Sequence, residues 1–219
     1  MRRSVLRFVA SCCALAATAA AAQECALQQP AAPAGKLQVL AQEVARTNPC
    51  TTVPGLHAKS LRSVWAVLTA SGRTGGKRFE TVPPAGTPTG RVLAGATGVP
   101  FDLRAVAAEG VQSLELTSRG KLVFRAAGPM QAALAPRERL APGESYDWVL
   151  RTGANAYRGS FELLEADEAA QVQSRLEAVA KSGLNEQMQM LYRAAVFDDA
   201  ELYSARDEAL AALQAPAAR

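Results

Sequence analysis

The stretch from Gly143 to Leu164 constrains the fold more than any other. Tyr146, Trp148 and Leu150 alternate with Ser145, Asp147 and Arg151, broken only by Val149. After a polar tip, Thr152-Gly153-Ala154-Asn155-Ala156, the alternation resumes with Tyr157, Phe161 and Leu163 against Arg158, Ser160 and Glu162. A period of two gives each arm one buried and one wet face. Two such arms about a Gly/Asn tip predict a β-hairpin. A lone hairpin is barely stable in water, so its aromatic face demands a second sheet or a helix.

Shorter apolar runs upstream fit the same plan. Arg91–Ala94, Pro100–Ala107, Val111–Ser118, Lys121–Arg125 and Met130–Leu134 are separated by turn signals such as Arg119-Gly120 and Pro142-Gly143. Leu114 and Leu116 share one face of the third run, and Leu122 and Phe124 are expected to point inward from the fourth. Ser60–Ala70, with Val64, Trp65 and Val67, reads as a buried strand on its β-branched and aromatic content. Phe79–Val82 suggests a short returning strand. Turns every eight to twelve residues or so are the spacing of a β-sandwich.

Past Leu164 the composition changes. Asp167–Leu213 holds one Gly and no Pro. Ala169, Val172, Leu176 and Val179 share a face of a first helix, with Asp167 as its N-cap and Gly183 at its left-handed end. Asn185 caps a second, whose inner face carries Met188, Leu191, Tyr192 and Ala195. Asp198 with Glu201 suggests a capping box opening a third, with Leu202, Ala205, Ala209 and Leu213 inward. The fold class expected is α+β by segments: an immunoglobulin-like β-sandwich followed by a small three-helix C-terminal unit. Its divisions are a signal peptide at 1–22, a leader and N-terminal segment at 23–59, the sandwich at 60–164, the helices at 165–213 and a tail at 214–219. Within the N-terminal segment, Lys36–Arg46 fits a helix or a strand.

Arg2, Arg3 and Arg7, an uncharged Phe8–Ala22 and the small-residue step Ala20-Ala21-Ala22 predict a cleaved secretory signal, too short to span a bilayer. The expected location is the periplasm, with an extracellular or, through Cys12, a lipid-anchored form as alternatives. Cleavage removes three of the 24 Lys+Arg, leaving 21 against 20 acids. That balance, with Arg and Glu interspersed along the chain, argues against a concentrated basic face and against nucleic acid as a partner. It also leaves two of four cysteines, Cys25 and Cys50. In an exported chain such a pair reads as one disulfide, closing a loop of about 25 residues for on the order of 3 kcal/mol.

Patterns that could carry chemistry are few. His57 is the only histidine and lacks a Gly-x-Ser-x-Gly partner. Gly72, Gly75 and Gly76 before Lys77 miss the phosphate-loop spacing, with Ser71 and Arg78 at required positions. Glu162, Glu165, Asp167 and Glu168, like Asp198-Asp199, suit helix termini better than paired catalytic carboxylates. No catalytic residue, metal ligand or cofactor is expected. Met190 and Tyr203 fall off the apolar helical faces and are the candidate protein-binding residues.

Residues 91–164 resemble the immunoglobulin-like β domain of bacterial envelope proteins. The likeness rests on Leu140-x-Pro142-Gly143-x-x-Tyr146-x-Trp148 followed by Tyr157-Arg158-Gly159-Ser160-Phe161. Residues 191–213 resemble one tetratricopeptide unit, with Ala195-Val196-Phe197-Asp198-Asp199-Ala200 where such repeats have Gly-x-Tyr-x-Glu-Ala. That resemblance implies protein contact. The expectation is an exported, non-enzymatic periplasmic interaction or accessory module with an envelope protein partner. The alternative is an envelope hydrolase or small-ligand-binding protein with a cleft between sandwich and helices.

Overall fold

A computed structural model describes residues 36–47, 53–69, 82–95, 98–130, 133–136 and 140–214. Two helices, α1 (Lys36–Arg46) and α2 (Ala58–Thr69), precede the strands β1 (Gly90–Val92), β2 (Val111–Ser118), β3 (Lys121–Met130), β4 (Ser145–Thr152) and β5 (Ala156–Leu163). Helices α3 (Ala166–Lys181), α4 (Glu186–Asp199) and α5 (Tyr203–Gln214) follow, and a 3-10 helix (Arg104–Glu109) leads into β2. The signal segment, Cys25, Cys50, the Gly72–Lys77 run and most of Phe79–Val82 lie outside the described residues.

The five strands form one mixed sheet in the order β1-β5-β4-β2-β3. β4 and β5 form the expected hairpin, pairing Tyr146 with Phe161, Trp148 with Gly159 and Leu150 with Tyr157. β2 lies antiparallel to both β4 and β3, while β1 runs parallel to β5. The aromatic face is sealed from above by Val99, Phe101, Leu103 and Val106, which arrive on the segment before β2. Phe101 meets Trp148 edge-on at 5.9 Å and Phe161 at 6.3 Å, near the favoured T-shaped geometry. A two-residue bridge between Phe101 and Leu134 holds this cover in place.

A second core is helical and draws on both sides of the sheet in sequence. Leu61, Val64, Trp65 and Leu68 of α2 are buried with Met188, Leu191, Tyr192 and Ala195 of α4. Residues 60–69 are therefore helix, not the strand expected from their composition. The spacing of Leu61, Val64, Trp65 and Leu68 is i, i+3, i+4, i+7, one stripe of a helix, and that periodicity outweighs β-propensity once α4 is there to pack on. α4 is central, touching α1, α2, α3 and α5. Strand alternation hands the chain from one core to the other: Leu163 is buried in the sheet core and Leu164 in the helical one.

Two local expectations are also revised. Leu122 is 55% exposed rather than inward. A register shift pairs Leu116 with Phe124 but Thr117 with Leu122, so Val123 is an extra residue that turns the end of β3 outward. Asp198 closes α4 instead of opening a third helix. Leu202 N–H bonds Phe197 C=O at 2.8 Å and Glu201 N–H bonds Asp198 C=O at 3.1 Å, the paired bonds of a Schellman end. Glu201 takes the left-handed position at φ 60°. Glycine's usual mark was missing there, so the sequence pointed to a helix start instead.

Candidate functional site

A groove of about 680 Å³ lies where β1 stops short along β5. β1 begins at Gly90, opposite Phe161, and no described residue pairs with Ala156–Ser160 on that side. Asp147 and Val149 of β4 and Arg158 and Ser160 of β5 make the floor; Pro83 and Thr89 stand at the wall. These floor residues belong to the outward face, the one opposite Trp148, by the alternation that buries Trp148 and Leu150.

The bonding parity of β5 decides which backbone groups this edge presents. Leu163 N–H bonds Glu144 C=O at 3.1 Å, toward β4, whereas Leu164 N–H bonds Val92 C=O at 3.1 Å, toward β1. Alternation then turns Phe161 and Gly159 to β4, and Ser160 and Arg158 to the open side. The edge thus offers the Ser160 N–H and both backbone groups of Arg158. Neither Asp147 nor Arg158 is in an ion pair among the described residues.

Beneath the groove the polar groups are tied to the core. Trp148 Nε1–H donates to Pro88 C=O at 2.9 Å, tying the segment that walls the groove to the sheet core. At the hairpin tip, Glu109 accepts from the Tyr157 hydroxyl at 2.7 Å, the Thr152 hydroxyl at 2.8 Å and Asn155 Nδ2 at 3.1 Å. Those bonds, the one from Tyr157 foremost, hold the Glu109 carboxyl below its ordinary range. The bond to Glu109 likewise pushes the Tyr157 phenol above its own. Nearby, the Arg104 side chain and backbone N–H lower Asp102 to about 2.

Sheet and helices meet through polar contacts around β1. Arg91 bonds Ala200 C=O at 3.2 Å and pairs with Glu168, and Ser204 bonds Thr89 C=O at 3.2 Å. Glu168 thus has a structural partner, as does Asp199. Ser60 donates to Asp199 Oδ1 at 2.9 Å and Arg175 to Oδ2 at 2.7 Å, joining α2, α3 and α4.

The two candidate binding residues are not brought together. Met190 lines a smaller groove of about 340 Å³ between α4 and α5, with Phe197, Ala205 and Ala209. Tyr203 lies outside that groove, 52% exposed, its ring 4.9 Å from the Arg206 guanidinium. His57 is exposed in the turn before α2. No group of three or more metal-capable side chains occurs among the described residues. None of the described helices is long and apolar enough to cross a membrane. The β5 edge escaped sequence reasoning because its openness depends on where β1 ends. Gly159, the one unusual residue of this segment, marks the close approach of the Trp148 ring and not the open edge. Comparison of the chain with known protein families, curated proteins and solved structures finds no match.

Proposed function

We propose that this chain is an exported, non-enzymatic interaction module of a bacterial envelope, binding a protein partner along the open edge of β5. The observation that carries the proposal is the groove itself: a strand edge that no described residue pairs with, and a walled, largely preformed space beside it. Edges of this kind recognise partners by strand addition, with backbone bonds for affinity and side chains for specificity. Export rests on the Arg-rich start, the uncharged run to Ala22 and the small-residue step that closes it.

The proposal includes an immunoglobulin-like kinship for the β region. Three features support it. The Tyr146 hydroxyl accepts from Ala141 N–H at 2.7 Å, five residues back, in the manner of a tyrosine corner. The order β5-β4-β2-β3 corresponds to strands G, F, C and C′ of a variable-type sheet. The Phe101–Leu134 bridge stands where strands B and E of the opposite sheet would pair.

The test is site-specific photo-crosslinking in the native envelope, with the probe at Arg158 or at Met190. A discrete adduct from position 158 is expected. Adducts from 190 alone would move the binding face to the α4–α5 groove, and none from either position would overturn the reading. Fractionation should find the mature chain beginning near Gln23 outside the cytoplasm; a cytoplasmic full-length chain would overturn export.

A further inference from the structure

The two edges of the sheet are built differently. β3, one edge, carries the extra residue at Val123, Lys121 and Arg125, and Pro129 near its end. Each of these discourages another strand from adding. The exposed part of β5, Ala156-Tyr157-Arg158-Gly159-Ser160, has no proline, and its pairing with β4 runs without a register shift. Its one charge, Arg158, points up from the sheet face, leaving the backbone edge clear. One edge is guarded and the other is open.

The floor charges indicate what fits there. Arg158 pairs across the ladder with Val149, and Ser160 with Asp147. On an added strand, the residue beside Arg158 and the residue beside Ser160 would be two positions apart and would face the same way. An acidic side chain beside Arg158 would meet its guanidinium. A long basic side chain beside Ser160 could cross that small residue to Asp147, one strand further in. The open edge spans five residues, about 16 Å at strand rise.

Resting on the interaction-module reading above, we propose that this edge takes an extended peptide segment bearing one acidic and one long basic side chain at positions i and i+2. The added strand lies in line with β1 and pairs with the open backbone groups of Arg158 and Ser160. Val149 and Pro83 supply apolar contact to its remaining side chains.

The experiment titrates the full chain with fluorescent ten-residue Thr/Val-rich peptides carrying Asp-x-Lys, Lys-x-Asp or Ala-x-Ala. One charged order should bind roughly five- to tenfold more tightly than the neutral peptide, the size two exposed charge pairs can supply, with the advantage shrinking as salt is raised. Which order wins reads the strand direction. Ser160→Pro should abolish binding with little change in Tm, because the lost N–H serves no bond to β4. The exchange Asp147→Lys with Arg158→Glu keeps every backbone group and should reverse the preferred order. Equal binding of charged and neutral peptides, or no reversal on exchange, would overturn the proposal. Adducts at position 158 in the envelope together with such a failure would leave the interaction module standing and remove only this peptide chemistry.

Discussion

Trp148 and Gly159 face each other across the β4–β5 ladder so closely that a Cβ at Gly159 would stand 2.4 Å from the indole Cζ2. The ring fills the space that any other residue would claim. Trp148→Ala should destabilise the protein by about 3–5 kcal/mol, as loss of a large buried aromatic does. Gly159→Ala should cost about 1–3 kcal/mol by overpacking, although it adds a single methyl group. Urea unfolding of both variants checks this; a cost below about 1 kcal/mol for Trp148→Ala would show that the ring is not a core element.

Asp199 is only 9% exposed and holds two partners from different helices. Asp199→Ala leaves Arg175 and the buried Ser60 hydroxyl without their acceptor. A loss of about 2–3 kcal/mol is expected. Asp199→Asn, which retains the shape and one acceptor oxygen, should lose less. Thermal unfolding of the pair distinguishes a working staple from an incidental contact, for which the two variants would behave alike.

Glu201 sits at a left-handed position that costs a side-chain-bearing residue roughly 1–2 kcal/mol. Glu201→Gly removes that cost while loosening the unfolded chain, so a net gain of about 0.5–1 kcal/mol is expected. A lower Tm for the variant would contradict the Schellman end of α4.

The hairpin-tip clamp should respond to both acid and alkali. Glu109 is lowered in the folded chain, so its contribution is present above the unfolded carboxyl pKa and fades as pH falls through the folded value. Tyr157 is raised, so its contribution is present below the unfolded phenol pKa and fades as pH rises through the folded value. Protection of the Asn155 amide, taken relative to its intrinsic exchange rate at each pH, should therefore be greatest between about pH 5 and pH 10. Glu109→Gln should remove the acid limb; an acid limb unchanged in that variant would place its origin elsewhere.

The sequence made the hairpin and the C-terminal helices legible because their periodicities stand alone. Tyr146, Trp148 and Leu150 need no knowledge of distant partners, and Asn185 announces its own cap, accepting from Met188 N–H at 2.9 Å. Ser60–Ala70 reads as a strand because its composition and its spacing disagree, and α4, on which the helical stripe packs, comes more than a hundred residues later. The groove was illegible for a related reason. Asp147, Arg158 and Ser160 look like ordinary outward residues until the three-residue length of β1 leaves the rest of β5 without a described partner on that side.

Both N-terminal helices are tied to residues far downstream: Ser60 of α2 bonds Asp199, 139 positions away, and Glu43 of α1 bonds Asn185, 142 positions away. Whatever emerges first from a synthesis or transport channel therefore waits, apolar stripe uncovered, until nearly the whole chain has followed. The helical layer can therefore close only once those downstream residues are in place.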